Sequence, residues 1–169
     1  MTSTNSESWM LIVGLGNPGR EHERNRHNVG FHCLDALAKR HELSFSKKQG
    51  EADLAIGRIR GQRVILLKPQ TFVNLSGKAV GATAHFYKVS TENVLVVYDD
   101  LDLPQGATRL RPAGGSGIWE VFIESLKEGD ARNMRRYIRK DLSDSAESII
   151  KMIQEKRSPL ADSEPATGN

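Results

Sequence analysis

Short apolar runs that alternate with amphipathic segments constrain the fold of this chain more than any other feature. Residues 9–13 are all apolar and end at Gly14, and residues 94–98 form a second such run before Asp99. Runs of this length are typical of strands that are buried on both faces of a sheet. In residues 28–39 and 75–87, apolar side chains recur every three or four positions, which predicts two helices. The alternation predicts an α/β sandwich around a mixed sheet.

The remaining segments extend this pattern along a chain of ordinary single-domain length. Residues 52–60 and 62–68 are predicted to be strands joined by a tight turn, and residues 106–112 alternate in the manner of a strand. Helices are predicted for residues 119–127 and 144–155, the second with Ile149, Ile150 and Ile153 as its apolar face. We expect one α/β domain at 9–156, between disordered tails at 1–8 and 157–169.

Composition excludes some classes of protein and leaves others open. Hydrophobic residues make up 38% of the 169 positions, which permits a packed core, and the net charge of +3 permits a polyanionic partner without requiring one. Cys33 is the single cysteine, so no internal disulfide or Cys/His metal spacing exists. No apolar run approaches the ~18 residues of a membrane helix, and residues 1–8 contain no apolar signal region. We therefore expect a cytoplasmic monomer with no membrane partner.

The glycine-rich loop after the first strand has the spacing of a dinucleotide-binding fingerprint, Gly14-x-Gly16-x-x-Gly19. A dinucleotide fold needs a helix that begins within this loop and holds the pyrophosphate at its N-terminus. Here Pro18 interrupts the loop, the helix is predicted to start near Asn28, and the acidic residue expected about twenty positions later is missing. We therefore predict no NAD binding and expect the glycines to present Asn17 to a ligand.

Four loop segments carry the side chains of a metal-free hydrolase site. They contain Asn17, then His27 within Arg-His-Asn-Val-Gly, then Asn74 within Thr-Phe-Val-Asn-Leu-Ser-Gly, and Asp99 at a strand end. Histidine can take a proton from water near pH 7, a carboxylate can orient it, and asparagines can bind carbonyl groups. Each residue also has a structural interpretation. His27 can pack at the helix start, Asn17 can serve the turn, and Asn74 can cap the helix after it.

Together these segments resemble bacterial peptidyl-tRNA hydrolases over residues 11–117. The resemblance implies a three-layer sandwich with a mixed, mostly parallel twisted sheet, and hydrolysis of the ester between a peptide and its tRNA without a cofactor or metal. By the same resemblance His27 is the catalytic base and Asp99 its partner, although Asp100 and Asp102 compete for that role on sequence alone. Asn17 would distinguish a blocked from a free amino group. The substrate contacts would be His22 (at a position where the family has tyrosine), Phe72, Asn74 and Arg111.

Basic residues suggest a tRNA-binding face, but their positions are less informative. Lys68, Arg109 and Arg111 can meet phosphates, and each can equally be an ordinary solvated charge on a strand. Arg111 matches a basic family position thought to hold the 5′ end of the tRNA. A further group of arginines between residues 132 and 139 can add phosphate contacts.

The resemblance breaks after residue 117, where the family continues with Gly-His-Asn-Gly and this chain reads Ile-Trp-Glu-Val. In an ungapped comparison Glu120 replaces the family's substrate-binding asparagine, and the next core strand is reduced to residues 134–138. We hypothesise that a deletion or a reading-frame disturbance produced residues 118–140. The alternative to an active hydrolase is therefore an impaired homologue that binds tRNA or is unstable, because that asparagine and a core strand are missing.

Overall fold

A computed structural model describes residues 8–23, 26–100, 108–112, 119–124 and 149–151. Its centre is a seven-stranded mixed sheet with the strand order β2-β3-β4-β1-β5-β7-β6. The strands β4, β1, β5 and β7 run parallel to one another, and the outer pairs are antiparallel. The strands are β1 Met10–Gly14, β2 Lys47–Lys48, β3 Ala52–Ile59, β4 Gln62–Pro69, β5 Val94–Asp100, β6 Thr108–Pro112 and β7 Trp119–Glu124.

Helices cover both faces of this sheet. Helix α1 spans Val29–Arg40 and helix α2 spans Ser76–Phe86, and residues 149–151 are also helical. Short 3-10 helices occupy Arg20–His22, Arg26–Asn28, Val73–Leu75 and Thr91–Asn93. Three of them lie in or next to the loops that carry the candidate site residues.

Alternation along the strands divides the apolar side chains between two cores. In β1, Ile12 belongs to the core that includes Leu34 of α1 and Ile150, whereas Leu11 belongs to the core that includes Ala79 of α2. Strand side chains alternate between the two faces of a sheet, so a fully apolar strand supplies both cores. This arrangement confirms the predicted three-layer α/β fold. Helix 149–151 also confirms part of the predicted helix at 144–155, with Ile149 and Ile150 fully buried.

Helix α1 approaches the sheet closely because it has no side chain at its crossing point. A β-carbon on Gly30 would lie 2.5 Å from the nitrogen and oxygen of Leu15 and from the oxygen of Val97. The facing position on β1 is also a glycine, Gly14, whose β-carbon would lie 2.3 Å from the Gly30 oxygen. This contact fixes the start of α1, and with it the loop before the helix, against the ends of β1 and β5.

The prediction of a helix at 119–127 is wrong, because residues 119–124 form strand β7. This strand pairs in parallel with β5 and antiparallel with β6. Four of the six residues in this segment are aromatic or β-branched, and such residues favour a strand. Strand β5 is therefore paired on both sides, with β1 and with β7. The strand predicted at 134–138 lies outside the described residues, as do residues 1–7 and 157–169 of the predicted tails.

The register of β7 also bears on Glu120. Glu120 pairs with Val96, whereas Ile123 pairs with Asp99. Three strand positions correspond to about 10 Å along the sheet. The backbone of Glu120 therefore lies about 10 Å before the level of Asp99 at the carboxyl edge.

Candidate active site

His27 and Asp99 form a hydrogen-bonded pair at the carboxyl edge of the parallel strands. His27 lies in the 3-10 helix immediately before α1, and Asp99 lies near the end of β5. The distance between His27 Nδ1 and Asp99 Oδ2 is 2.6 Å. The side chains are 42% and 20% exposed respectively, so the histidine is accessible and the carboxylate is mostly shielded. The predicted pairing of these two residues, 72 positions apart, is therefore present in the structure.

The contact determines which atom of the imidazole can act as a base. When Nδ1 carries the proton and donates it to the Asp99 carboxylate, the lone pair of the neutral ring is on Nε2. The carboxylate also stabilises the imidazolium that forms when Nε2 accepts a proton. The structure thus places the Asp99 carboxylate on His27, whereas Asp102 and the side chain of Asp100 lie outside the residues that it describes.

Asn17 connects the other loops to this pair. Its backbone nitrogen donates to Asn28 Oδ1 at 2.8 Å, and its backbone oxygen accepts from Asn28 Nδ2 at 2.9 Å. The Asn17 side-chain oxygen accepts a hydrogen bond from the backbone nitrogen of Val73 at 3.3 Å. This last contact orients the carboxamide, so that its Nδ2 group, which donates to none of the residues the structure describes, is available to a ligand carbonyl.

The segment around Asn74 presents exposed side chains next to Asn17. Phe72 is 63% exposed and Asn74 is also exposed. The interpretation of Asn74 as a helix cap is wrong, because Asn74 lies inside the 3-10 helix Val73–Leu75. The residue that precedes α2 is Leu75, and no side chain caps that helix. Asn74 is therefore not needed for capping, and its exposed carboxamide lies in the loop that donates to Asn17.

Two other predicted contacts, His22 and Lys68, lie in different surroundings. His22 ends the 3-10 helix Arg20–His22 in the glycine loop, and its Nε2 lies 3.8 Å from Glu21. Lys68 Nζ donates to Asp35 at 2.6 Å and sits 4.0 Å from the centre of the Phe45 ring, with its side chain only 16% exposed. Lys68 is therefore engaged within the protein, which supports its structural interpretation over a role as a phosphate ligand.

Two candidate phosphate contacts lie on strand β6. Arg109 is exposed and pairs in register with Phe122, one strand position from the level of Asp99. Arg111 pairs with Glu120, two positions farther from the carboxyl edge. Both are on the side of the sheet beyond β5 and β7. The arginines between 132 and 139 lie outside the described residues.

The glycine loop differs in geometry from a dinucleotide site. Gly19 has a φ of 113° and is followed by a single turn of 3-10 helix, and α1 begins only at Val29. The N-terminus of α1 is thus ten residues beyond the last glycine of the motif. The described residues contain no group of three histidine, cysteine or acidic side chains placed to hold a metal ion. They also contain no helix long and apolar enough to cross a membrane.

Comparison with known proteins accounts for this combination of residues. The family model for peptidyl-tRNA hydrolase matches residues 11–142. The chain belongs to the peptidyl-tRNA hydrolase family. It is similar to peptidyl-tRNA hydrolase of Rhizobium rhizogenes, with 42% identity over 145 residues, which cover 86% of this chain and 59% of that protein. The protein of Chloroflexus aggregans is 53% identical over 108 residues, which cover 63% of this chain and 57% of that protein.

Solved structures of the family share the fold. The crystal structure of an arginine-to-glutamine mutant of peptidyl-tRNA hydrolase from Acinetobacter baumannii aligns with a TM-score of 0.75 at 26% identity, and the alignment covers 93% of each chain. A second structure of the Acinetobacter baumannii peptidyl-tRNA hydrolase aligns with a TM-score of 0.72. The chain spans about three-fifths of the length of the curated peptidyl-tRNA hydrolases that it matches.

Two residues of this family member that sequence reasoning missed contribute to the site region. Asn28 is 3% exposed and holds the backbone of Asn17 through both ends of its carboxamide. Its position directly after His27 was the available signal, but an asparagine before a helix is ordinarily interpreted as a cap. His32, one helical turn farther along, lines a pocket beside Asn17. Burial lowers the pKa of His32 below its ordinary value, and the nearby Asp35 carboxylate opposes this effect.

Proposed function

We propose that this chain hydrolyses the ester bond of peptidyl-tRNA, with His27 as the general base and Asp99 as the residue that orients it. The observation that carries the proposal is the 2.6 Å hydrogen bond between His27 Nδ1 and Asp99 Oδ2 at an accessible edge of the sheet. Family membership supports the substrate class, because the curated relatives are peptidyl-tRNA hydrolases.

The proposed reaction is direct attack of water on the ester carbonyl. His27 Nε2 takes a proton from the water as its oxygen bonds to the carbonyl carbon, and Asp99 remains ionised beside the resulting imidazolium. When the tetrahedral intermediate collapses, the bond from carbon to the ribose oxygen breaks and His27 returns the proton to that oxygen. The products are a peptide acid and free tRNA. This chemistry requires no redox or metal cofactor, and we propose none.

The remaining site residues are proposed to hold the two ends of the substrate. Asn17 and Asn74 can donate hydrogen bonds to peptide carbonyls or to the developing oxyanion, and Phe72 offers an exposed apolar surface to the peptide. His22 is proposed to touch the substrate from the glycine loop. Arg111, with the exposed Arg109 beside it on the strand, is proposed to meet the tRNA phosphates. We propose that the protein acts as a cytoplasmic monomer, where translation produces its substrate.

A catalytically impaired homologue is the second candidate. The observation that favours it is the absence of the family's Gly-His-Asn-Gly sequence after residue 117. Its other support is the expected loss of a core strand, whereas β5 has a parallel neighbour on each side, β1 and β7. Glu120 is also displaced from the level of Asp99 along the sheet. The active hydrolase is therefore the better supported of the two.

Purified protein incubated with N-acetyl-aminoacyl-tRNA, and in parallel with free aminoacyl-tRNA, separates these candidates. We expect release of tRNA from the blocked substrate only. No release, from a protein that shows a cooperative thermal transition, would indicate a folded but inactive homologue. No release and no transition would indicate that the divergent segment prevents folding.

A further inference from the structure

A polar pocket lies next to the catalytic pair along the same edge of the sheet. Its volume is about 410 Å³, which is within the range of ordinary ligand sites. Asn17 lines it on one side, and helix α1 contributes Phe31, His32 and Asp35. The floor is formed where β4 ends and β3 begins, because Lys68 and Asp53 are paired in register there. We call this space the Asp53 pocket.

The strand order places the Asp53 pocket on the opposite side of the catalytic pair from the candidate tRNA contacts. From Asp99 on β5, the neighbouring strands on one side are β1, β4 and β3, whereas β7 and β6 lie on the other. Arg109 and Arg111 are on β6. An ester held at His27 with its tRNA toward β6 would therefore direct its peptide past Asn17 toward β4 and β3.

The distances suit a short extended peptide. Neighbouring strands are about 4.8 Å apart, so β4 and β3 are about 10 and 14 Å from β5. An extended chain advances about 3.4 Å per residue. The third and fourth residues before the esterified one would then pass over the Asp53 pocket, because three and four residues span about 10 and 14 Å. Asn17, with its Nδ2 group directed to a ligand, stands between the two regions.

The charges that line the pocket argue against a phosphate and favour a basic side chain. The lining contains two permanent cations, Arg20 and Lys68, and three carboxylates, Glu23, Asp35 and Asp53, which leaves one negative charge in excess. Lys68 is already engaged by Asp35 at 2.6 Å. The ion pair of Asp53 with Lys48 is long, at 4.0 Å, and the Lys48 side chain is 85% exposed. Asp53 can therefore exchange this solvated partner for a ligand cation.

We propose that the Asp53 pocket binds the nascent peptide three to four residues before the esterified residue, and that it favours basic over acidic side chains. This inference rests on the proposed hydrolysis of peptidyl-tRNA. It adds a preference for peptide sequence to an activity that otherwise depends on the ester and the tRNA.

The test uses three pentapeptidyl-tRNAs that are acetylated, end in alanine, and carry four lysines, four glutamines or four glutamates before it, so that the peptide reaches the level of β3. We expect wild-type kcat/KM to be about fivefold higher for the lysine than for the glutamate substrate. Asp53→Asn should reduce this ratio by about threefold, whereas Gln70→Glu, which adds a carboxylate to the pocket lining, should increase it. Unfolding cannot increase the ratio of the two kcat/KM values. The result for Gln70→Glu therefore distinguishes an effect of charge from a folding defect.

A charge-matched control and a binding measurement complete the experiment. Glu92→Gln removes a carboxylate from the turn before β5, at the other edge of the sheet, and should leave the ratio unchanged. Equal rates for all substrates in every variant would overturn the pocket and leave the hydrolase intact. A third result is that no substrate is cleaved, but the acetylated lysine peptide acid binds and Asp53→Asn weakens that binding. This result would overturn the proposed hydrolysis and support the peptide-binding pocket. Neither cleavage nor binding would overturn both.

Discussion

At the scale of single residues, the proposed hydrolysis depends first on the Asp99 carboxylate beside His27. In Asp99→Asn the carboxamide can donate to Nδ1 and hold the ring in the wrong tautomer, and it cannot stabilise the imidazolium. We expect kcat to fall by about 10²-fold or more with little change in KM. Steady-state kinetics on a blocked aminoacyl-tRNA measure this, with Glu92→Gln as a carboxylate control. A change in KM alone would assign Asp99 to binding instead.

Asn28 supports the site by holding the backbone of Asn17. Its buried carboxamide makes two hydrogen bonds to the Asn17 backbone, and Asn28→Ala leaves both partners unsatisfied. We expect the free energy of unfolding to fall by about 2 kcal/mol, and kcat/KM to fall as Asn17 moves. Urea unfolding and kinetics test this. Asn93→Ala, which loses a hydrogen bond to Ser90 of 3.3 Å in an exposed turn, is the control and should cost about 0.5 kcal/mol. Equal losses in the two variants would contradict the role given to Asn28.

At the residue scale, the loop motifs predicted which side chains lie together. His27, Asp99 and Asn17 were identified from loop segments that resemble a family, and the structure brings them to one edge of the sheet. Asn28 was missed and Asn74 was given the wrong local role. In both cases the outcome depends on which backbone groups a carboxamide meets after folding. Local sequence does not contain that information, because any asparagine beside a helix can make the same hydrogen bonds to nearby backbone groups.

At the scale of elements, the glycine contact between α1 and the sheet positions the loop that carries His27. In Gly30→Ala the new β-carbon would lie 2.5 Å from backbone atoms of Leu15 and Val97, so α1 must shift. We expect the variant to lose about 2 kcal/mol or more of stability and to lose activity. Gly81→Ala in α2 is the matched control. A β-carbon there meets nothing within 4 Å, and the variant should gain about 0.5–1 kcal/mol from helix propensity. If the two variants change the free energy of unfolding in urea by the same amount, the close packing at Gly30 does not limit the stability of the protein.

Helix α1 also makes stability depend on pH through His32. Burial lowers the pKa of His32 in the folded protein below its ordinary value of 6.5. Between the lowered pKa and 6.5 the unfolded chain binds more protons at this site than the folded protein does. The free energy of unfolding therefore rises with pH through this window, and the full contribution of His32 is present above it. We expect the wild type to lose stability as the pH falls below 6.5, and His32→Gln to lose less over the same range. Urea unfolding at pH 7.5 and 5.5 measures how much stability each protein loses between the two pH values. Equal losses in the wild type and His32→Gln would contradict the role given to His32.

The elements themselves were largely predictable, with β7 as the instructive exception. The first strand and the two main helices follow directly from the apolar spacing. Residues 119–124 were predicted to be helical, because their few apolar residues are compatible with either period when the segment is short. Pairing with β5 and β6 decides between the two periods. Such long-range pairing is a property of the folded sheet rather than of six residues in isolation.

At the scale of the whole molecule, the strand order arranges the functions along one edge. Candidate tRNA contacts on β6, the catalytic pair at β5, Asn17 after β1 and the Asp53 pocket at β4 and β3 follow one another across the sheet. The sequence could not predict this arrangement, because strand order depends on connections between distant segments. For the proposed substrate, this order would place the nucleic acid at one end and the peptide at the other.

The most direct test of the central claim measures two properties of His27→Ala, namely turnover of N-acetyl-aminoacyl-tRNA and affinity for that substrate's tRNA. If His27 is the base, turnover should fall by about 10²-fold or more while tRNA affinity changes little, because the contacts with phosphate lie elsewhere on the sheet. If the variant retains wild-type turnover, or loses turnover only in proportion to tRNA binding, the assignment of His27 and Asp99 as the catalytic pair is wrong.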